Sequence, residues 1–236
     1  MHQLAGLVRR CIDDYNMINR GETIAIGMSG GKDSLALLYA MADLRRYHPS
    51  NFNLHAVTLK MGFDGMDFTP IKNICDKLDV PYIIKQTNIA RVVFDEREEK
   101  NPCSLCSSMR RAAMCDTITQ LGIKKVALAH QNDDAVETFL MSLLYEGRLH
   151  CFRPVTYLSR TDTTQIRPML YVKEDLIIKL IEKHNLPVVK NTCPISGVSK
   201  REEIKILLST LKANHPDIKA KLFGAMQRLP LAGWEK

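Results

Sequence analysis

The sequence predicts an α/β protein built on a doubly wound parallel sheet with a helical C-terminal extension. Three observations predict it. Short apolar runs that read as strands recur at 24–27, 53–59, 81–86 and 125–129, and segments with helical spacing of apolar residues lie between them. Strands separated by helical crossovers pair in parallel. The first run breaks at Gly30-Gly31 directly into an apolar helix, which is how a parallel strand delivers a ligand-binding turn. Beyond residue 198 only helical patterns remain, 198–213 and 216–228, divided near Pro216.

In chain order, Leu4, Leu7, Val8, Cys11, Ile12 and Tyr15 recur at spacings of three and four, so 3–18 reads as an amphipathic helix packed on the domain. Helices are expected at 34–46, 69–79, 133–145 and 174–184, and a hairpin within 154–168. The apolar segment Leu186 to Val189 is expected to return the chain to the sheet. This divides the chain into an α/β domain over 1–190, with an inserted Cys-x-x-Cys helix, and an extension over 191–236 that carries Cys193. Ligands bind beyond the carboxyl ends of parallel strands, where Ser29, Thr58, Gln86 and His130 fall.

At 236 residues, 45% hydrophobic and 25% charged, the chain has the composition of an ordinary globular protein. No run approaches the roughly 20 apolar residues of a membrane span. Residues 1–19 contain Arg9, Arg10, Asp13 and Asp14, unlike a signal peptide, so a cytoplasmic protein without a membrane partner is expected. Seven cysteines, two of them in a Cys-x-x-Cys pair, are too few for a disulfide scaffold and read as reduced thiols or thiolate ligands. The net charge of +7 is uneven: 148–173 holds five basic side chains against one acidic, and 198–236 holds eight against four. Such concentration points to a polyanion, with nucleic acid the leading partner and a merely solvated basic face the alternative. Arg148, Arg153, Arg167, Lys200 and Arg201 are the candidates for phosphate contacts.

The run Ser29-Gly30-Gly31-Lys32-Asp33-Ser34 carries the clearest chemistry. Its glycines let backbone N–H groups approach a ligand, and the following helix aims the positive end of its dipole at the same point, which makes an anion site. It is not a Walker A loop, because Asp33 stands between Lys32 and Ser34. Lys32 would act as a point charge, and Asp33 lies close enough to influence magnesium. After the fourth strand, His130-Gln131-Asn132-Asp133-Asp134 offers an imidazole and two carboxylates. Asp133 serves either as a helix cap or as a ligand, while Asp134 is favoured as a magnesium-site carboxylate and His130 as a nucleotide contact. Cys103, Cys106 and Arg110 share one face of a helix begun by Pro102, a setting that favours thiolate. The pair alone is compatible with zinc, a redox dithiol or an iron–sulfur cluster. Cys11, Cys75, Cys115 and Cys151 read as small buried apolar residues.

Ser-Gly-Gly-Lys-Asp-Ser resembles the pyrophosphate loop of the PP-loop ATP pyrophosphatase superfamily, whose fold is adenine nucleotide α hydrolase-like. The order of that loop, Cys-Ser-Leu-Cys-Ser-x-x-Arg-Arg, Ala-Leu-Ala-His-x-x-Asp-Asp, Ile-Arg-Pro-Met-Leu-Tyr and a late cysteine resembles the tRNA 2-thiocytidine synthetase family over most of the chain. The resemblance implies a tRNA sulfurtransferase that splits ATP to AMP and pyrophosphate, adenylates O2 of a cytidine at position 32 of the anticodon loop, and puts sulfur in its place. It implies a [4Fe-4S] cluster on Cys103, Cys106 and Cys193 with one iron lacking a protein ligand. It further implies ATP and Mg2+ at Ser29, Gly30, Gly31, Lys32, Asp33, Ser34, Thr58 and His130, with Lys32, Asp33, Arg110 and Asp134 as catalytic residues. The expected partners are tRNA, a sulfur donor such as a cysteine desulfurase, and a second copy of the chain. Many family members have a second cysteine three residues before the late one, where this chain has Lys190. The chain is also short at its N-terminus relative to that pattern, which bears on target recognition more than on chemistry. Rival readings are a PP-loop thiolase for another base, one using a persulfide on Cys106 or Cys193, and a non-catalytic zinc-containing nucleotide-binding module.

Overall fold

Strand β1 (Thr23–Gly27) shows why the sheet is covered on both sides. Its pleat sends Ile24 and Ile26 to one face and Ala25 to the other, and all three are fully buried. The same alternation continues in β2 (Asn53–Lys60), where Leu54 and Ala56 join the first face and Val57 the second, and in β4 (Lys125–Ala127), where Ala127 and Val126 divide likewise. The computed structural model describes residues 1–97, 102–195 and 200–228. Part of the charge run ending at Lys100 therefore lies outside the described residues, as do the first residues of the expected 198–213 helix.

Among the described residues the sheet has six strands in the order β3-β2-β1-β4-β6-β5. β3 is Tyr82–Gln86, β5 Val155–Leu158 and β6 Thr163–Ile166. All pairings are parallel except the edge hairpin, in which β5 runs antiparallel to β6. The chain winds outward from β1 in both directions, so a switch point falls between β1 and β4, where a crevice opens beyond the strand ends.

One face carries α1 (His2–Asp14), α2 (Lys32–Arg45), α3 (Thr69–Lys77), α6 (Asn132–Glu146) and α7 (Glu174–Lys183). α8 (Lys200–Asn214) and α9 (Ile218–Arg228) place Ile204, Leu208, Phe223 and Met226 in this same core. The other face is covered by α5 (Pro102–Gln120), whose Ile118 packs with Ala25, Val57, Ile123 and Val126. A short α4 (Ile89–Arg91) continues into a π-helical turn, Val92–Glu96, ahead of α5. No helix among the described residues is long and apolar enough to cross a membrane.

Leu186 to Val189 returns the chain to the sheet only at its carboxyl edge. The segment forms no strand, and Val189 N–H instead donates to Gly30 O at 2.9 Å, so the chain docks on the loop after β1. Two prolines explain why it pairs poorly: Pro187 lacks a ladder donor, and Pro194 follows closely.

Candidate active site at the switch point of the sheet

The loop from Ser29 to Ser34 is held by its own hydroxyls. Gly31 N–H donates to Ser29 Oγ at 3.2 Å, Ser29 Oγ to Ser34 Oγ at 3.2 Å, and Ser34 Oγ to Gly31 O at 2.9 Å. Gly30 adopts φ +82°, a backbone state that side chains resist, and Gly31 is the N-cap of α2. Lys32 Nζ contacts both Asp33 oxygens at 3.0 and 3.1 Å and Glu174 Oε1 at 2.8 Å. Burial works against the Lys32 charge, but the Glu174 and Asp33 carboxylates outweigh it and hold the pKa above the usual lysine value. Thr58 stands behind the loop: it is buried, donates to Met28 O at 3.0 Å and accepts from Tyr82 O–H at 2.8 Å.

Across the crevice, α6 begins with a capping box. Gln131 Oε1 accepts from Asp133 N–H at 2.7 Å, and Asp134 Oδ2 accepts from Gln131 N–H at 3.0 Å. Asp134, favoured from sequence as a magnesium-site carboxylate, is thus already a helix-capping group. Burial raises its pKa, opposed by Gln131 N–H and Arg201, and the Asp33 carboxylate adds to the rise, so the two acids lie within electrostatic reach. Asp133 is tied elsewhere: it accepts from Glu174 N–H at 2.8 Å and pairs with Lys219 of α9 at 2.5 Å. Arg201, offered by the sequence as a phosphate contact, here binds Asp134 at 3.3 Å and Glu137 at 3.0 Å. Lys200 pairs with Glu203 at 3.0 Å, while Arg148 and Arg153 are exposed.

Between these walls lies a cavity of about 520 Å³. Ser29, Gly31 and Met28 line it from the loop, His130 and Leu128 from beyond β4, and Ser107, Arg110, Arg111 and Met114 from α5. His130 packs against Phe152 with ring centroids 4.8 Å apart, and burial followed by the charges of Arg167, Arg201 and Arg110 lowers its pKa to about 3. It is therefore a neutral imidazole at physiological pH. Arg167 is 6% exposed and lies 5.0 Å from the Phe152 ring, held by Arg153 O at 2.6 Å and Thr156 Oγ1 at 3.0 Å. Burial lowers its pKa to about 10. Its guanidinium belongs to the cavity wall, not to an outer RNA-facing surface as its sequence position suggested.

The cysteines adjoin cavity-lining residues in the chain: Cys106 precedes Ser107, and Cys193 lies two residues beyond Asn191. Cys103 is exposed, Cys106 and Cys193 are half-buried, and all are free thiols. Burial raises the Cys106 pKa, Arg110 opposes it, and the charges of Cys193 and Cys103 add to it, so the late cysteine lies within electrostatic range of the helical pair. Among the described residues no three His, Cys, Asp or Glu side chains form a set that would grip one metal ion. A four-iron cluster would give each of the three thiolates its own iron, and the Arg110 cation beside Cys106 would complement its anionic charge.

Of the residues expected at the site, Ser29, Gly31, His130 and Arg110 line the cavity, whereas Lys32, Asp33 and Asp134 surround the start of α2 at its edge. Sequence reasoning missed Glu174, Arg111, Phe152 and Gln165. For Arg111 the signal was present in the Arg110-Arg111 pair; Glu174 has no motif and reaches Lys32 only because α7 packs on α2.

The loop, the sheet order and the crevice define a PP-loop nucleotide-binding protein, and residues 5–204 match the family model of the PP-loop domain. The tRNA-cytidine(32) 2-sulfurtransferase of Pelobacter propionicus is 32% identical over 96% of this chain and 86% of its own length. That of Geobacter sulfurreducens is 32% identical over 95% and 88%, and that of Aliivibrio fischeri 34% over 92% and 72%. The fold is similar to the U34-tRNA thiolase NcsA from Methanococcus maripaludis, solved with its [4Fe-4S] cluster, at a TM-score of 0.76 and 25% identity over 95% of this chain and 77% of that one. The chain belongs to the tRNA-cytidine(32) 2-sulfurtransferase family of PP-loop proteins.

Proposed function

We propose that this chain is an ATP-dependent tRNA sulfurtransferase that replaces O2 of cytidine 32 with sulfur. The observation that carries the reading is that the pyrophosphate loop and the cysteine-bearing helix α5 face one cavity. The oxygen on C2 of cytosine is a poor leaving group. Its attack on the α-phosphorus of ATP expels pyrophosphate and makes an adenylated base; sulfide then adds at C2, and AMP departs with the original oxygen.

The chain's own residues divide this work. The amides of Gly30 and Gly31, the N-terminus of α2 and Lys32 take up the charge of pyrophosphate. Asp33 is our candidate for the magnesium that accompanies the phosphates, and Asp134, within its electrostatic reach, is the second acid of the site. Arg110, Arg111 and Arg167 offset the charge of AMP as it leaves. His130, neutral at the working pH, hydrogen-bonds without delivering a full charge. A [4Fe-4S] cluster held by Cys103, Cys106 and Cys193 would supply a sulfur-carrying iron beside the activated carbon. The tRNA would lie over the basic second half, with Arg148 and Arg153 on its phosphates. A separate sulfur donor, a homodimeric arrangement and a cytoplasmic setting belong to the same reading.

The test is AMP formation by the full chain with ATP, Mg2+ and tRNA. We expect it to require a cytidine at position 32 and to stop in Lys32→Ala with iron content unchanged. AMP formation that is indifferent to that base would overturn the assignment, and uridine 34 dependence would favour the substrate named for the structural neighbour.

A further inference from the structure

The segment that carries Cys193 is fastened to the nucleotide loop at Val189. Val189 N–H donates to Gly30 O at 2.9 Å. Its side chain fills the space where Gly30 lacks one: a Cβ on Gly30 would stand 2.8 Å from Val189 Cβ and 2.9 Å from Cγ2. Gly30 is therefore glycine for two reasons, its φ of +82° and the valine above it. From Val189, the three residues Lys190, Asn191 and Thr192 lead to Cys193. They are tethered as well, since Thr192 Oγ1 donates to Asp64 O at 3.1 Å and Cys193 N–H to Asn191 Oδ1 at 3.1 Å.

We propose that Val189 is a positioning residue that couples occupancy of the nucleotide loop to the placement of the Cys193 thiol. The reason lies in one peptide plane. The carbonyl of Gly30 and the N–H of Gly31 belong to the same planar trans unit and point in opposite directions. The N–H, now on Ser29 Oγ at 3.2 Å, is a donor that a bound phosphate recruits; the carbonyl is the acceptor of Val189. When a phosphate fixes the N–H, the plane is fixed, and the Val189 side chain packed over Gly30, which holds the Val189 N–H in register on the carbonyl, passes that restraint to the short tether to Cys193. Linkage makes the effect reciprocal: whatever holds Cys193 in place strengthens nucleotide binding by the same factor.

The proposal takes from the function above only the importance of Cys193, and its test needs neither cluster nor tRNA, so failure of one does not imply failure of the other. Cluster-free full-length protein is alkylated with neutral iodoacetamide, with and without ATP and Mg2+, and Cys193 and Cys103 are followed separately by peptide mass spectrometry. Cys103, which lies in the first turn of α5 and outside the segment that follows Val189, is the reference. We expect nucleotide to slow Cys193 relative to Cys103 by about fivefold or more, the lower end of ordinary coupling. Val189→Gly should bring the factor below about twofold, and Val189→Ile should keep it. Should Val189→Gly not fold, Val189→Ala serves in its place. Equal slowing in the parent and the small-residue variant would show a direct effect of nucleotide charge on the thiol and overturn the proposal. Absence of slowing in the parent would overturn it equally.

Discussion

Glu174→Gln should tighten ATP binding, although it removes an ion pair. In the free protein Lys32 Nζ sits 2.8 Å from Glu174 Oε1 and 3.0 Å from Asp33, so one cation is shared by two carboxylates and the anion site carries a net negative charge. Arriving phosphates compete with Glu174 for Lys32. Two unit charges 2.8 Å apart attract by about 1.5 kcal/mol at the dielectric constant of water. The side chains are 30% and 24% exposed, so screening and the ordering of two long side chains reduce the net contribution to about 1 kcal/mol. Removing that competition should lower the ATP dissociation constant about fivefold, since 1.4 kcal/mol is a factor of ten. Gln keeps the shape and an acceptor oxygen, so Lys32 stays oriented. Isothermal titration with ATP and Mg2+ measures the change directly. Binding weakened by a similar factor would refute the reasoning, because Glu174 would then belong to the ligand site and not compete with it.

His130 should make the protein acid-sensitive. Its pKa is about 3 when folded and about 6.5 when unfolded, so the unfolded chain binds the extra proton below 6.5. The stability associated with neutral His130 is thus complete above pH 6.5 and falls as pH drops toward 3, by at most about 2 kcal/mol at pH 5. Urea titrations at pH 7 and 5 should show a smaller loss for His130→Asn than for the parent; equal losses would place the acid sensitivity elsewhere. Arg201→Met leaves the carboxylate of Glu137, 1% exposed, without its cation and should cost about 3 kcal/mol in the same titrations, whereas a cost under about 1 kcal/mol would mean the pair is solvated. For tRNA binding, Arg148→Ala with Arg153→Ala should reduce the slope of log affinity against log salt by about two while ATP affinity is unchanged. An unaltered slope would remove both from the RNA surface.

The sheet was legible because its evidence is local. Alternating burial at Ile24, Ala25 and Ile26, the glycine break at Gly30-Gly31 and the helical spacing after it are properties of adjacent residues. The candidate site was legible only where a motif marks it. Ser29, Gly31, Arg110 and His130 stand in motifs and line the cavity. Thr58 was expected there from its place near the end of a strand, but its hydroxyl faces Met28 and Tyr82, and a strand position alone does not say which face a side chain takes. Arg201 lies in a basic segment, yet α8 packs on α6 and turns it onto Glu137 and Asp134; charge counted along the chain is blind to such pairing. The docking of Val189 on Gly30 was hidden for the same reason, since it joins residues 159 positions apart through a missing side chain.

The most direct measurement is nucleoside mass spectrometry of tRNA incubated anaerobically with iron-loaded protein, ATP, Mg2+ and sulfide. The expected product is 2-thiocytidine at position 32, absent when ATP is withheld and absent with Cys193→Ala despite an intact fold. Protein that carries iron and turns ATP into AMP, yet yields only a thiouridine or no thionucleoside, would contradict the assignment.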